Sequence, residues 1–230
     1  GAYALSYAGG QQYLVSSTRT DFAAAQGNNP HYSRLFLATV NKDSVEQLSA
    51  VGLPAAGIAE NQGAASMSAD GGFMYFTQWK KENGIITSNI YYSIKDADGT
   101  WGVPMLLPQV NVAGANSKQP FCSADGKYLF FASDRDGGAG GFDIWYALLQ
   151  VDGSTATAVN AGSVVNSAGD DQAPFYHNST GTLVFSTNGR AGMGGYDLFA
   201  AKGKVTKWNE PGNLRYPVNS SRYGINCYAP

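Results

Sequence analysis

The stretch at residues 119–147, QPFCSADGKYLFFASDRDGGAGGFDIWYA, is followed 54 residues later by a second version of itself at 173–201, APFYHNSTGTLVFSTNGRAGMGGYDLFAA. The shared motifs align without a gap from the Pro-Phe pair to the Gly-Gly-aromatic-Asp sequence. Earlier and more divergent copies lie at 66–93 and, in two pieces, at 5–19 and 33–38. The sequence therefore contains four copies of a repeat with a period near 55 residues, which indicates a repeat architecture.

Each copy has the pattern of a four-stranded antiparallel meander. A short strand ends at a turn rich in Asp and Gly, an apolar or alternating strand follows, and a glycine-rich loop leads into a third strand. The rest of the copy supplies an outer strand, bounded by the related segments 98–111 and 205–219. Only KDSVEQLSAVG at 42–52 has a weak helical period, and we interpret it as a loop or one short helical turn.

Four-stranded units repeated at this length are typical of a β-propeller, in which the blades surround a central channel. A β-sandwich would not repeat its turn chemistry at a fixed interval, and a parallel β-helix uses shorter coils. We therefore predict an all-β fold, with residues 1–230 as a single β-propeller domain. The four predicted repeats and the start of a further blade span about 4–60, 61–115, 116–169, 170–217 and 218–230.

The tail of the chain realigns with an earlier repeat. VNSSRYGINCYAP at 218–230 matches VNSAGDDQAPFYH at 165–177, which places 226–229 in the inner strand of another blade. We therefore expect the sequence to be a fragment of a longer multidomain chain with five or more blades.

Composition excludes several classes of protein. The chain has 230 residues, is 43% hydrophobic, and has a net charge of −2. Its longest basic run is Lys80-Lys81, so we predict no binding of nucleic acid. No apolar run approaches the length of a membrane helix, so we predict a chain that does not span a membrane. The two cysteines, Cys122 and Cys227, form neither a zinc motif nor a disulfide framework.

The loop after the second strand of the third copy is a candidate calcium site. Its aspartates, Asp134, Asp136 and Asp143, offer the hard oxygen ligands that calcium prefers. Their spacing fits neither an EF-hand loop nor the nonapeptide calcium repeat. The next copy has Asn188 and Arg190 in place of the first two aspartates. We therefore favour a structural role for the loop and keep a metal site as the alternative.

Both copies of this loop end in Gly-Gly-aromatic-Asp. We predict that the glycines adopt positive φ and that the aspartate accepts hydrogen bonds from backbone N–H groups. Two tryptophans also occupy equivalent repeat positions, and we predict that they pack between blades. These structural repeat positions are Gly140, Gly141, Asp143, Gly194, Gly195, Asp197, Trp101 and Trp208.

Signals of catalysis are weak. The paired carboxylates of a glycosidase could come from the set Asp136, Asp170, Asp171 and Glu82. However, Asp170-Asp171 fits a solvated turn more simply, and the chain contains no G-x-S-x-G motif. The only histidines are His31 and His177. We therefore predict that the chain is not an enzyme and has no cofactor.

Partner contacts are expected in three loops that the repeat places on one side of the propeller, at 19–33, 79–88 and 134–141. The candidate interaction residues are Trp79, Lys80, Lys81 and Arg135, which lie in two of these loops, and Arg190, which lies in the corresponding loop of the fourth copy.

The repeat resembles a known family. The segments SADGKYLFFASDRDGGAGGFDIW, LVFSTNGRAGMGGYDLF and EPGNLRYPVNS resemble the TolB-type, WD40-like β-propeller repeats of Bacteroidetes OmpA-family envelope proteins, including the PorE-like components of the type IX secretion system. The resemblance implies a periplasmic scaffold, associated with the outer membrane, whose partners are envelope proteins. It implies that peptidoglycan is bound only through a domain outside these residues. The alternative is a propeller that binds a glycan or a muropeptide.

Overall fold

The fold is an all-β propeller of four antiparallel blades, and this confirms the predicted fold class. The computed structural model describes residues 2–18, 32–41, 44–54 and 61–220. Each blade is a separate sheet whose strands follow one another in chain order from the central channel outward. The described residues contain no helix long and apolar enough to cross a membrane.

The strands fall into four sets of the same design. Blade 1 consists of β1 Ala2–Gly9, β2 Gln12–Ser17, β3 Arg34–Asn41 and β4 Ser44–Ala50. Blade 2 consists of β5 Asn61–Met67, β6 Phe73–Glu82, β7 Ile85–Ile94 and β8 Met105–Leu106. Blade 3 consists of β9 Ser117–Cys122, β10 Tyr128–Ser133, β11 Asp143–Leu148 and β12 Val159–Asn160. Blade 4 consists of β13 Asp171–His177, β14 Thr182–Thr187, β15 Asp197–Lys204, β16 Lys207–Trp208 and β17 Gly212–Asn213, the last also paired with β15.

Burial on both faces of the middle blades explains their continuous apolar runs. Successive side chains of a strand point to opposite faces of the sheet. In β10, Phe130 therefore belongs to the core shared with blade 4, whereas its neighbours Leu129 and Phe131 belong to the core shared with blade 2. Each side chain of this size contributes about 1.5–3 kcal/mol when fully buried. The interfaces between blades are thus the hydrophobic core of the molecule.

A hydrogen bond of the same kind crosses each of the three interfaces. The side-chain oxygen of the residue that opens a blade accepts a backbone N–H from the preceding blade, and the donor is the residue just before the repeat position of Arg34, Asn89 or Asp143. The donor and acceptor pairs are Ser33 to Asn61 at 2.8 Å, Ser88 to Asn116 at 2.9 Å and Phe142 to Asp170 at 2.9 Å. Both Asn and Asp occur at this position because the hydrogen bond requires only a side-chain oxygen as acceptor.

Two local predictions were wrong. Residues 44–50 form the outer strand β4, not a loop or helical turn, because pairing with β3 supplies backbone hydrogen bonds that override a weak helical pattern. Residues 79–88, predicted as a loop, form the paired end of the β6–β7 hairpin, and only the turn Asn83-Gly84 is unpaired. The predicted contact loop 19–33 lies largely outside the described residues, as do His31, Cys227 and 221–230 of the predicted further blade.

Candidate functional site

The inner strands of all four blades line a central channel of about 1050 Å³. Its wall contains two Pro-Phe pairs from successive repeats, at 120–121 and 174–175, and the rings of Phe121 and Phe175 lie with their centroids 4.9 Å apart. On blade 1 the wall includes Tyr7, which is 54% exposed and makes an edge contact with Tyr13. These aromatic side chains give the channel a largely apolar wall at the end where the inner strands finish.

A β-bulge interrupts each inner strand where it meets the channel. The residue at the bulge has positive φ although it is not glycine, and these residues are Ala4, Ala64, Gln119 and Ala173. Bulges are common where a strand must redirect its side chains. Two of the freed N–H groups are bound by the preceding blade, Gln119 by the Thr77 hydroxyl and Ala173 by the Gln119 amide oxygen. The bulge is therefore a repeated feature of the channel wall.

Among the described residues that line the channel, Asp70 supplies a carboxylate at the mouth. Hydrogen bonds from the Ser68 hydroxyl and from the Gly72 N–H hold the pKa of Asp70 below its usual range, so the group stays ionised. His177 also lines the mouth and its Nδ1 lies 2.9 Å from the Thr180 hydroxyl oxygen. Cys122 lies in the wall but is buried, and burial raises the pKa of its thiol. Burial therefore disfavours the thiolate, which is the nucleophilic form of the side chain.

The opposite face of the propeller carries the glycine-rich loops. In blades 3 and 4 a buried aspartate accepts hydrogen bonds from the backbone of the loop. The Asp143 carboxylate is buried and accepts the N–H groups of Ala139 at 2.6 Å and Gly140 at 3.2 Å, and also the side-chain amide of Asn160 at 2.9 Å. Asp197 accepts the N–H groups of Met193 and Gly194 in the same way. Asp143 and Asp197 therefore each close the loop that precedes the third strand.

The prediction that the paired glycines adopt positive φ was wrong, and in blade 3 close packing explains the pair. In the loop of blade 3 the positive φ lies at Gly137, and it lies at none of Gly140, Gly141, Gly194 and Gly195. A Cβ on Gly140 would lie 2.5 Å from the carbonyl oxygen of Ser167 and closer still to that of Gly169. A Cβ on Gly141 would collide with the Asp170 carboxylate. The loop of blade 3 thus fits directly against the segment that enters blade 4.

The asparagine of the Val-Asn pair near the end of a repeat forms two hydrogen bonds to the backbone of the third strand, a role that the sequence analysis did not predict. The side-chain amide of Asn166 accepts the N–H of Ile144 at 2.8 Å and donates to its carbonyl at 3.0 Å. Asn111 binds Ile90 and Asn219 binds Leu198 with the same two hydrogen bonds. The signal was present, because Val-Asn recurs at 110–111, 165–166 and 218–219.

The two candidate arginines are engaged within the propeller. The Arg135 guanidinium lies 5.0 Å from the ring centroids of Phe131 and Trp145, and donates to the carbonyl of Val110. Burial lowers the pKa of Arg135 to about 10. Arg190 takes the equivalent role one residue later in the repeat, donating to the carbonyls of Val164 and Val165 and pairing with Glu210 at 2.9 Å.

The candidate residues of blade 2 lie on the β6–β7 hairpin, whose strand pairing continues past the point at which the pairing ends in blades 3 and 4. Its turn, Asn83-Gly84, has φ values of 51° and 82°, as a type I′ turn requires. Lys81 is exposed at the tip, Lys80 pairs with Glu82 at 3.4 Å, and Trp79 is half-buried over Gly63. The sequence reasoning missed the two most exposed apolar side chains there, Ile85 at 68% and Ile86 at 53%.

The aspartates that were considered as metal ligands or catalytic groups form separate local hydrogen-bond networks. Asp134 accepts from the backbone and side chain of Asn116, whereas Asp170 accepts the Tyr196 hydroxyl at 2.7 Å. Burial opposes the ionisation of Asp170, but that hydrogen bond and the Phe142 N–H bring its pKa below the usual range. Burial raises the pKa of Asp171. Within the described ranges no three Asp, Glu, His or Cys side chains converge on a possible metal position, and Asp134, Asp136 and Asp143 form no such group.

The repeated tryptophans are both buried, with 8% of their surface exposed. Trp101 belongs to the cluster between blades 1 and 2, and the Lys95 ammonium lies 4.9 Å from its ring centroid. Trp208 belongs to the cluster between blades 3 and 4, where it makes an edge contact with Tyr176 at 5.8 Å.

No protein-family model and no curated protein matches the chain. Among solved structures, it is similar to a putative TolB from Agrobacterium tumefaciens, with a TM-score of 0.56 and 17% identity over 90% of this chain and 61% of that chain. It is also similar to TolB from Acinetobacter baumannii, with a TM-score of 0.57 and 15% identity over 93% of this chain and 43% of that chain. The chain therefore spans less than two thirds of either TolB chain.

The prediction that the chain is not an enzyme requires correction. A puromycin hydrolase is similar to 91% of this chain, with a TM-score of 0.53 and 11% identity, and 38% of that chain is covered. Because the same fold occurs in a hydrolase, a propeller with this repeat does not exclude enzymatic activity. At these identities the likenesses show a shared fold alone, and that fold is the TolB-like β-propeller.

Proposed function

We propose that this chain is a protein-interaction scaffold of the bacterial envelope, in which the rigid propeller presents the tip of the β6–β7 hairpin to a partner protein. The observation that carries the proposal is the pair of exposed isoleucines at this tip, Ile85 and Ile86. Isolated exposed apolar residues are ordinary on a surface. Two adjacent ones beside the Lys80–Glu82 ion pair have the composition of a small contact patch.

The geometry of the hairpin supports this role. In blades 3 and 4 the pairing of the second and third strands ends at Ser133–Asp143 and Thr187–Asp197. In blade 2 the pairing continues for four further residue pairs, from Trp79–Ser88 to Glu82–Ile85. At about 3.4 Å per residue, the paired strands of blade 2 continue for roughly 14 Å beyond the last strand pairs of blades 3 and 4. The base of this extension packs within the chain at Trp79 and Ser88, whereas Ile85 and Ile86 at its tip stay exposed, which favours a role of the tip in contact with another molecule.

The location and assembly are part of the same proposal. The repeat motifs resemble those of OmpA-family envelope proteins, and both TolB structures have this fold. We place the chain in the periplasm, associated with the outer membrane, in a complex linked to type IX secretion. Peptidoglycan would be bound there by a domain outside residues 1–230. The partners would be envelope proteins with an apolar surface that accepts the isoleucines.

Affinity purification from detergent-solubilised envelope tests the proposal. The bait is the full chain, compared with the double substitution Ile85→Ser and Ile86→Ser. The matched control is Val103→Ser, which changes another exposed apolar residue, 65% exposed, away from the hairpin. We expect specific envelope proteins to be lost with the double variant and retained with the control. Equal recovery by all three baits would reject the hairpin as the docking surface.

A further inference from the structure

The sequence contains two Asn-Gly pairs, and the structure places them in different surroundings. They are Asn83-Gly84, at the turn of the β6–β7 hairpin, and Asn188-Gly189, in the loop between β14 and β15. In such a pair the backbone nitrogen of the glycine can attack the side-chain amide carbon of the asparagine, because glycine has no Cβ to hinder the approach. Both asparagines are exposed, so contact with water does not distinguish the two pairs.

The reaction of such a pair needs only water as co-reactant. At the hairpin turn, a bond would form between the Gly84 nitrogen and Cγ of Asn83 while the bond from Cγ to Nδ2 breaks. Ammonia leaves and carries away the proton of the Gly84 amide, and the product is a cyclic imide. A water molecule then opens the imide at either of its two carbonyl carbons. The result is an aspartate or an isoaspartate at position 83.

Hydrogen bonds hold both reacting groups of the pair in blade 4. The Asn188 side-chain oxygen accepts the N–H of Asp170 at 2.6 Å, and the Asn188 N–H donates to the Asp170 carbonyl at 3.2 Å. The Gly189 N–H donates to the Thr187 hydroxyl at 3.1 Å. The loop is also closely packed, because a Cβ on Gly189 would collide with the Ser167 side chain. The loop must therefore leave the entry to blade 4 before the imide can form.

Nothing comparable holds the pair at the hairpin turn. Within the described part of the chain, neither the Asn83 side chain nor the Gly84 N–H makes a hydrogen bond, and nothing lies within 4 Å of a Cβ added to Gly84. Both residues have positive φ, and Asn83 must leave this conformation for the ring to close. That requires the opening of only the last strand pairs, such as Glu82–Ile85, and exposed ends of this kind open at low free energy.

We propose that Asn83 is a site of spontaneous deamidation, and that its products end the docking of the hairpin tip. The second part rests on the proposed function, whereas the first does not. An aspartate adds a negative charge beside Glu82 and changes the charge of the tip. An isoaspartate adds a methylene group to the main chain, so the two-residue turn no longer matches the strand pairing and Ile85 and Ile86 are displaced. The reaction thus limits the time during which one chain engages its partner.

Peptide mapping by mass spectrometry, on the full chain incubated in mildly alkaline buffer, tests the chemistry. Replacement of the side-chain amide by a carboxyl changes the peptide mass, and isoaspartate separates from aspartate by retention time. We expect Asn83 to react faster than Asn188 by about tenfold or more, the ratio that about 1.4 kcal/mol of additional opening free energy produces. In the chain unfolded by guanidinium the two rates should be similar, because the hydrogen bonds that protect Asn188 are lost.

Two variants separate protection from reactivity. Thr187→Val removes the acceptor of the Gly189 N–H, so we expect it to speed the reaction of Asn188 and leave that of Asn83 unchanged. Thermal unfolding checks that this variant is folded. Asn83→Gly removes the reacting amide and keeps a turn sequence that type I′ hairpins favour. It should show no change at position 83.

Affinity purification from detergent-solubilised envelope tests the consequence for docking. The baits are the fresh chain, the chain incubated until position 83 has reacted, and Asn83→Gly after the same incubation. Hairpin-dependent proteins are those lost with the double substitution Ile85→Ser and Ile86→Ser. We expect the incubated chain to lose them and incubated Asn83→Gly to retain them.

The outcomes separate the two parts of the proposal. Equal rates at Asn83 and Asn188 in the folded chain, or an unchanged ratio after unfolding, would overturn the deamidation site. Full recovery of the hairpin-dependent proteins by the reacted chain would overturn its effect on docking. If the fresh chain recovers no hairpin-dependent protein, the proposed function fails together with that effect, and peptide mapping still tests the deamidation site.

Discussion

The loops that connect the second and third strands differ sharply between blade 2 and blade 3. In blade 3, Asp143 holds a glycine-rich loop that packs against the entry to blade 4. In blade 2, Asn89 occupies the same place in the repeat, and the strands continue into a regular hairpin. The same place in the repeat therefore leads into a loop used for packing in blade 3 and into a paired hairpin in blade 2. A repeat can change its surface at one blade without changing the interfaces that hold the blades together.

The largest expected effect comes from removing the aspartate. Asp143→Ala leaves the N–H groups of Ala139 and Gly140 and the amide of Asn160 without their acceptor, and we expect a loss of about 3 kcal/mol in the free energy of unfolding. The corresponding change in blade 2, Asn89→Ala, should cost less than about 1 kcal/mol because no loop depends on it. Urea denaturation of both variants measures the difference, and equal losses would show that the two loops do not differ in this way.

The second largest loss of stability is expected from a substitution in the glycine-rich loop of blade 3. Gly140→Ala places a methyl group against the carbonyls of Ser167 and Gly169, and we expect a cost of at least about 2 kcal/mol. Gly212→Ala is the control, since nothing lies within 4 Å of its added Cβ, and it should stay within about 0.5 kcal/mol. Thermal unfolding compares the two. A mild Gly140 variant would mean that the loop can move away from blade 4.

Substitution of the hairpin tip should barely change stability. Ile85→Ser and Ile86→Ser remove exposed side chains, so we expect each to alter the free energy of unfolding by no more than about 0.5 kcal/mol. Chemical denaturation provides the measurement. A loss above about 1.5 kcal/mol would indicate that the tip packs within the chain, and the contrast with blade 3 would disappear.

The smallest effect on stability is expected at the Ser-Ala-Asp-Gly turn, which occurs at 68–71 in blade 2 and at 123–126 in blade 3. Hydrogen bonds from Ser68 and Gly72 lower the pKa of Asp70. Because the folded pKa lies below the unfolded value near 3.9, the stabilisation is present above that value and is lost as pH falls through the folded pKa. We expect Asp70→Asn to reduce the slope of stability against pH in this acidic range. An NMR titration that places the Asp70 carboxyl pKa at or above about 3.9 would contradict this.

The sequence predicted the parts of the fold that repeat. Gapless alignment of two copies identified the blades, and the Asp-Gly turns and apolar runs marked the first three strands. The helical interpretation of 42–52 was wrong because an outer strand needs little apolar patterning when a neighbouring strand supplies its hydrogen bonds. Such pairing is a tertiary effect, which local pattern does not contain.

The sequence was less informative about the sites. The close approach of Gly140 to Ser167 joins two blades and could not be read from the loop alone. Arg190 takes the role of Arg135 one position later in the repeat, so a gapless alignment pairs it with Asp136. Ile85 and Ile86 stand in a run that resembles a buried strand, and only the length of the pairing shows that they are exposed.

Site-specific photo-crosslinking tests the central claim, presentation of the blade 2 hairpin to a partner, most directly. A photoreactive residue is placed at position 86 or, as the reference, at position 103, and the full chain is irradiated in the intact envelope. The account predicts a discrete crosslinked protein from position 86 that is absent from position 103. The same pattern from both positions, or no product from position 86, would contradict it.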